Sequence, residues 1–302
     1  MDENISGVVN IYKEKGYTSH DVVNIVRRAF NRIKTGHTGT LDPQAEGVLP
    51  VCVGKATKLC DSIAADIKQY RAQMTLGVTT DTEDHTGEAL EEKEVTCTKE
   101  ECEAAILSFV GEYEQIPPMY SAVKHEGRKL YDLARSGIEV ERTPRLITIH
   151  EITDIDFSLF DENKISFTVL CSKGTYIRTL CKDIGEKLGC GAHMSSLVRT
   201  RSGRFYSKDS IKVDDFNRLM QAGEVDKVLI PIEKVIGDCK SSKVAPKANK
   251  YLYNGNKINI GFLFEKNSIQ DGDKVLLYDK EGRLAGLYRI SEGFAYPDIM
   301  LI

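Results

Sequence analysis

The order in which residue periods follow one another restricts the architecture of this chain more than any single motif. Stretches of period two, such as Tyr70–Leu76, read as half-buried strands. Stretches with apolar residues every three or four, such as Val22, Val26, Phe30 and Ile33, read as helices. The two kinds are interleaved without a regular strand–helix–strand rhythm. That pattern argues against a doubly wound parallel sheet and for an α+β fold, a mixed and largely antiparallel sheet flanked by helices. With 302 residues, one large domain and one small one are expected. The texture changes after Pro231. Runs such as Lys274–Tyr278 and Leu284–Ile290, around a Lys280-Glu281-Gly282-Arg283 turn, predict a small all-β module over 241–302 behind a main domain over 1–240.

Within the main domain, Gly7–Tyr12 reads as the opening strand and 19–33 as a helix with Ser19 as N-cap. An apolar run, Val48–Val53, is broken by Pro50, and Lys55–Ile67 reads as helical. The polar segment 79–97 is a loop or short hairpin. Thr98 with Glu101 forms a capping box ahead of the apolar stripe Cys102, Ala105, Ile106 and Phe109. Leu130, Leu133 and Ala134 suggest a short helix stopped by Gly137. Strands are expected at 146–158, 164–171 and 197–206. Helices are expected from Thr175, as cap, to Leu188, closing at Gly189, and from Ser210 to Met220.

Hydrophobic content of 41% and charged content of 28% are ordinary for a soluble globular protein. No stretch approaches the roughly 18 apolar residues of a membrane span. Met1-Asp2-Glu3-Asn4 lacks the apolar core of a signal peptide, so a cytoplasmic protein is expected. None of the eight cysteines forms a Cys-x-x-Cys pair, and no His stands at zinc-finger spacing. Free, mostly buried thiols and no structural metal are expected. The net charge of −4 is unevenly spread. Residues 88–103 hold seven acids against two bases. Arg27, Arg28, Arg32 and Lys34 fall in an acid-free window over 22–41, and Arg199, Arg201, Arg204 and Lys208 in another over 189–208. Such patches, rather than the total, set a footprint on a phosphate backbone; solvated surface is the alternative.

The stretch Gly36-His37-Thr38-Gly39-Thr40-Leu41-Asp42-Pro43 places a carboxylate, an imidazole and two glycines directly after a basic helix. Glycine permits close backbone approach, and Pro43 biases Asp42 toward an extended conformation. An acid on such a loop suits chemistry on a polyanion, or else simply caps a tight turn. A second signal is Cys171-Ser172-Lys173-Gly174-Thr175-Tyr176-Ile177-Arg178. Arg178 falls in a first helical turn, where the helix dipole disfavours a cation by several tenths of a kcal/mol. A bidentate pair with Asp42 would compensate and hold that acid ionised; a surface arginine is the plainer alternative. Tyr70 either stacks on an extruded base or belongs to the core, and Leu197 is either packing or pocket wall.

Residues 36–50 (GHTGTLDPQAEGVLP), together with KQYRAQMTLGVTTDTEDHTG, QIPPMYSAVK and CSKGTYIRTLCKDIGEKLGCGAH, resemble the TruB family, the bacterial tRNA pseudouridine-55 synthases. The similarity runs from about residue 7 to 206 with its motifs in order, and more weakly to the end, where that family carries a small PUA RNA-binding domain. The resemblance implies a pseudouridine synthase fold and a PUA-like module. It implies that Asp42 is the catalytic aspartate, Tyr70 the tyrosine that stacks on the target base and Arg178 the partner of the acid. It implies that Leu197 lines the uracil pocket, His37 fills the gap left by the flipped nucleotide and Asp84 joins the polar network. An insertion over 121–145 would close on the RNA, with Lys124, Arg128 and Lys129 as phosphate contacts; Arg199 is a further expected RNA contact. Two positions depart from the family pattern: Lys13 is followed by Glu14 rather than Pro, and Val198 stands where a second basic residue commonly precedes Arg199.

The implied activity is conversion of a uridine in the T-loop of tRNA, position 55, to pseudouridine by base flipping. That reaction needs no redox agent or phosphate donor, consistent with the lack of a Walker loop or dinucleotide fingerprint. No cofactor is expected. The tRNA T-arm stem-loop is the expected partner of a monomer without an obligate protein partner or membrane. One alternative is a noncatalytic tRNA-binding or tRNA-folding protein, which gains nothing from a positioned carboxylate near RNA. Another is a metal-dependent hydrolase using His37, Asp42, Asp81 and Asp84, disfavoured for want of other ligands at suitable spacing.

Overall fold

The computed structural model describes residues 5–64, 67–237 and 239–302. The acidic N-terminal tetrapeptide lies outside the described residues. The chain opens with β1 (Gly7–Lys13) and α1 (Ser19–Ala29). Thr18, not Ser19, caps α1, in a reciprocal capping box with Asp21. Ser19 is freed for another task. The helix also ends four residues before the expected Ile33, because Asn31 and Arg32 take left-handed backbone. β2 (Thr35–His37) and β3 (Glu46–Val53) follow. Pro50 does not break β3. On the side away from β1, β3 pairs with other strands only at Glu46–Gly47 and Val51–Val53, so Pro50 sits in the gap between them.

The helix expected over 55–67 is shorter. A 3₁₀ segment, Gly54–Leu59, leads into α2 (Cys60–Ile63), residues 65 and 66 lie outside the described set, and Ile67 already opens β4 (Ile67–Leu76). Next come the hairpin β5 (Val78–Thr80) and β6 (Ala89–Glu92), then α3 (Lys99–Leu107) behind its capping box and β7 (Gly111–Gln115). The basic insertion forms a small hairpin, β8 (Lys124–His125) and β9 (Arg128–Lys129), and α4 (Leu130–Arg135). β10 (Arg145–Asp156) and β11 (Lys164–Ser172) lead to α5 (Ile177–Leu188). Thr175 does not cap α5. Its hydroxyl donates to Ser172 O, and Gln115 instead accepts from the Tyr176 N–H. β12 (Ala192–Ser202), β13 (Phe205–Tyr206), β14 (Ile211–Lys212), α6 (Val213–Gln221), β15 (Leu229–Pro231) and α7 (Ile232–Ile236) complete the domain.

Apart from the β5–β6 and β8–β9 hairpins, these strands form one mixed sheet, in the order β14-β1-β3-β12-β4-β11-β10-β7, with β2, β13 and β15 pairing at its sides. Only β1–β14 and β3–β12 are parallel, so the sheet is largely antiparallel. Two helical layers cover its halves. α1 and α6 seal an apolar cluster over β1 and β3, with Phe30 against Phe216 at 6.4 Å. α3 and α5 seal a larger one over β4, β10, β11 and β12. The halves meet where β3 and β12 share only two rungs, Glu46↔Val198 and Gly47↔Arg199. From the β2–β3 loop at this seam, Leu41 and Ala45 drop into the larger cluster beside Tyr70 and Leu197.

The C-terminal module has a five-stranded sheet ordered β16 (Lys240–Lys243), β18 (Lys274–Tyr278), β19 (Leu284–Ser291), β20 (Phe294–Met300), β17 (Ile258–Asn259). It is not all-β, since a short helix, α8 (Asn249–Tyr253), supplies Leu252 to its core. Ile299 and Leu301 pack against Val8, Cys52, Leu59 and Val235 of the main domain.

Gly47 controls the seam. Its φ is +110°, and a Cβ there would collide with the backbone of Arg199. Gly47→Ala is therefore expected to destabilise the protein by at least ~2 kcal/mol, through strain and separation of β3 from β12. Denaturant unfolding checks this, and a wild-type midpoint would remove the constraint.

Candidate active site

The loop between β2 and β3 carries Asp42, and its backbone is held from three directions. Ser19 on α1 accepts from Leu41 N at 2.8 Å and donates to Leu41 O at 3.0 Å. Arg199 on β12 donates to Gly39 O (3.1 Å), Thr40 O (3.3 Å) and Val48 O (2.8 Å). Lys13, at the end of β1, donates to Pro43 O (3.1 Å), Tyr17 O (2.6 Å) and Glu14 O (3.2 Å). Buried carbonyls must find donors, and here two buried cations supply most of them. The Asp42 side chain itself stays 41% exposed. The loop is fixed while its acid faces outward.

Arg178 meets that acid from α5. Its side chain is 7% exposed, and Nε lies 3.0 Å from Asp42 Oδ2. The pair is not the expected bidentate fork. Nη1 donates to Thr82 O at 3.0 Å and Nη2 to Tyr120 O at 2.9 Å, while Asp84 Oδ2 stands 3.8 Å from Nη1. Each guanidinium nitrogen thus has an acceptor from a different loop. Asp84 is braced in turn, its Oδ1 accepting from Thr82 Oγ1 and from the N–H and Oγ1 of Thr86.

Tyr70 and Leu197 come from adjacent strands. Tyr70 pairs with Arg199 and Ala72 with Leu197, so the phenol and the leucine share one face of β4–β12 and one apolar cluster with Leu41. Burial pushes the Tyr70 hydroxyl above the usual phenol range, and the Arg199 guanidinium pulls it partly back. Tyr70 is therefore a neutral phenol at pH 7. His37 accepts from Gly39 N at 3.1 Å through Nδ1, which leaves the proton on Nε2. Burial, then Arg199 and His20, holds this imidazole below its ordinary value and keeps it neutral.

Arg199, expected to touch RNA, is 1% exposed and committed to the loop carbonyls. It braces the acid-bearing loop. Lys124, Arg128 and Lys129 are exposed on the β8–β9 hairpin, where Lys124 pairs across from Lys129. They do not reach Asp42 directly, but Tyr120 O, just before this insertion, accepts from Arg178. His37, Asp42, Asp81 and Asp84 do not form one cluster, although Asp42 and Asp84 both face Arg178. Asp81 caps Glu88 N, and among the described residues no group of three or more His, Cys, Asp or Glu side chains can hold a metal.

Sequence reasoning missed three supports. Ser19 reads in the sequence as a cap and instead holds Leu41. Lys13 has a visible signal, a cation ending a mostly apolar strand. Glu83 has none. It is a buried, non-glycine residue at φ +62° whose carboxylate accepts from Thr179 Oγ1 at 2.5 Å, next to Arg178. Burial raises the Glu83 carboxyl above its usual range, opposed by Thr179 and nearby cations. Its left-handed turn carries Thr82 O and Asp84 toward the same guanidinium.

The fold matches a class before it matches a family. Over 98% of this chain and 85% of the other, it superposes on the crystal structure of a Cbf5–Nop10–Gar1 complex with a TM-score of 0.69 at 27% identity. It superposes equally fully on an archaeal box H/ACA Nop10–Cbf5 complex, with a TM-score of 0.67 at 24% identity, a likeness of fold alone. Residues 27–177 match the TruB family pseudouridylate synthase (N terminal domain), and 178–236 the tRNA pseudouridylate synthase B C-terminal domain. The chain belongs to the TruB family. It is similar to proteins named tRNA pseudouridine synthase B from Alkaliphilus oremlandii (48% identical, 91% of this chain and 90% of that one) and Clostridium perfringens (44%, 98% and 99%).

The buried Lys13 has a pH signature. Burial lowers its ammonium from 10.5 to about 8, against the pull of Asp42 and Glu46. Because the folded value is the lower one, the unfolded chain binds more protons between these values. Lys13 alone thus makes the fold more stable as pH rises through that window, while the same rise removes the ammonium that the loop carbonyls need. Turnover in wild type is expected to fall with an apparent pKa near 8 without a fall in thermal midpoint, and Lys13→Arg to lose that alkaline limb. Parallel pH profiles of the two proteins would discard the assignment.

Proposed function

We propose that this chain isomerises the uridine at position 55 in the T-loop of tRNA to pseudouridine, with Asp42 as the catalytic carboxylate. The observation that carries this reading is the Asp42–Arg178 contact. A half-exposed acid is fixed by a buried cation at a seam walled by Tyr70 and Leu197. The family, and relatives named for this activity across nearly their whole length, support it.

The reaction breaks the N1–C1′ bond, turns the uracil, and joins C5 to C1′ with loss of the C5 proton. The target base must first leave its stack, at a cost of about a few kcal/mol. Stacking on the Tyr70 ring returns ~1–3 kcal/mol, and the neutral His37 takes the vacated place. A carboxylate so held has two routes. It attacks the nucleoside covalently, or it takes a proton as the sugar eliminates to a glycal. Arg178 aims it in either case. Leu197 and Leu41 form an apolar wall that retains the detached base in a dry slot. The protonated Tyr70 hydroxyl is no standing base, so any part it takes in removing the C5 proton requires passing its own proton on. Lys124, Arg128 and Lys129 on the insertion hold phosphates, and the module over 241–302 is a PUA-like RNA-binding domain behind a catalytic domain of 1–240. The protein works as a monomer on cytoplasmic tRNA.

Release of tritium from uracil C5 in a T-arm stem-loop tests the reading. Wild type is expected to release it, and Asp42→Asn to lose at least about a thousandfold in rate while binding the RNA as before. A wild-type protein that binds the stem-loop without releasing tritium would favour the noncatalytic alternative. Tyr70→Phe keeps the ring and is expected to bind normally and turn over slowly; full turnover would relieve its hydroxyl of any role.

A further inference from the structure

The proposed activity leaves one concentration of charge unused, at the far end of α1. Asn24, Arg27 and Arg28 stand three and four residues apart and so share one helix face. Past Ala29 the backbone reverses through two left-handed residues, Asn31 (φ +50°) and Arg32 (φ +63°), closed by Arg32 N donating to Arg27 O at 2.7 Å. Left-handed positions after a helix ordinarily go to glycine or asparagine. This chain places an arginine in the second of them. The reversal brings Arg32 back to Asn24, Arg27 and Arg28, and the four line one open depression of about 280 Å³.

All three arginines are exposed, and no carboxylate among the described residues pairs with any of them. The one acid on α1, Asp21, is bound at the opposite end by the Thr18 cap. The helix dipole welcomes cations in a last turn, which accounts for Arg27 and Arg28 individually. It does not account for a third arginine held in left-handed backbone so that three like charges face one hollow. Local rules broken without internal compensation mark sites that meet something outside the fold.

The position of the hollow identifies its occupant. α1 is bolted to the acid-bearing loop by the Ser19–Leu41 pair, and nine residues at 1.5 Å each carry it roughly 14 Å to Arg28. From Arg32 the chain runs directly through β2 to His37. The hollow and the acid are thus two ends of one rigid unit. We propose that Arg27, Arg28 and Arg32 form a cradle for backbone phosphates of the substrate RNA's stem, outside the loop that presents the target base. This deepens the proposed function and rests on it. Guanidinium forks suit phosphate oxygens, and contacts of this kind position RNA without reading its sequence.

The test is binding of the T-arm stem-loop as a function of NaCl. Each phosphate contact contributes roughly 0.7–0.9 to the slope of log K against log salt. A triple Arg27→Gln, Arg28→Gln, Arg32→Gln protein is expected to flatten that slope by about two and to weaken binding about tenfold or more near 0.1 M salt. Its single-turnover rate at saturating RNA should match wild type. Arg32→Gly relieves the backbone while removing one guanidinium, so it should unfold at the same temperature or higher and yet bind more weakly; this separates binding from folding. On a loop closed by only two base pairs, wild type and triple variant should bind alike. Wild-type slope and affinity in the triple variant on the full stem-loop would overturn the cradle. Wild-type tritium release is the control. Release with an unchanged slope sinks the cradle alone, whereas a flattened slope with no release sinks the isomerase reading and leaves an RNA surface.

Discussion

Arg178 is the point at which three distant segments become one site. Its Nε meets Asp42, its Nη1 meets the Thr82 carbonyl and its Nη2 the Tyr120 carbonyl. The acid-bearing loop, the β5–β6 turn and the start of the basic insertion are therefore read against one planar group. Burying an arginine is unfavourable unless its donors are matched, and removing one partner strands the rest. The matched arrangement lends the site its rigidity. Loops that would otherwise wander are fixed by the geometry of a fork on a helix that is itself clamped to the sheet.

Much of the surrounding structure gives up stability for that placement. Lys13 and Arg199 are buried cations whose partners are mainly backbone carbonyls. Glu83 is a buried carboxyl on left-handed backbone, held by one threonine hydroxyl. None is the choice of a chain built only to fold, because burial of a charge without an opposing charge is costly. Each costs the core something and returns a fixed carbonyl or carboxylate within reach of Asp42 or Arg178. Misfits of this kind gather where local rules yield to function.

This division also explains what the sequence let one read. The mixed sheet, the capping box at Thr98 and the alternation in Tyr70–Leu76 follow from local periodicity, which is local physics. Arg178 was legible because its place in a first helical turn breaks a local rule. The failures have a common cause. Thr18 displaced Ser19 as cap because Leu41, 22 residues on, needs both a donor and an acceptor. Thr175 turns to Ser172 O, and the Gln115 amide, 61 residues before Tyr176, holds both backbone groups of that residue just ahead of α5. Arg199 looked like a surface contact because its acid-free neighbourhood says nothing of the three carbonyls it meets across the seam. Side chains with several uses are assigned by tertiary contacts, and periodicity does not carry those.

A carboxylate pointed at RNA raises an electrostatic difficulty, since the approaching backbone is itself anionic and the chain as a whole carries −4. The structure answers it by depth. Asp42 is the outermost charge of its group; Arg178, Arg199 and Lys13 lie behind it, each shielded from water by the fold. Buried charges are screened far less than exposed ones, so their field reaches the mouth of the site with more force than a surface arginine's would. The neutral His37 and Tyr70 add no negative charge beside the acid. The surplus of negative charge over 88–103 stands on the exposed β6 strand and the first turns of α3, where water screens it. A chain that is acidic in sum thereby backs its most exposed site carboxylate with buried cations, which offsets the repulsion an approaching phosphate backbone meets while leaving that carboxylate free to act on the base it carries.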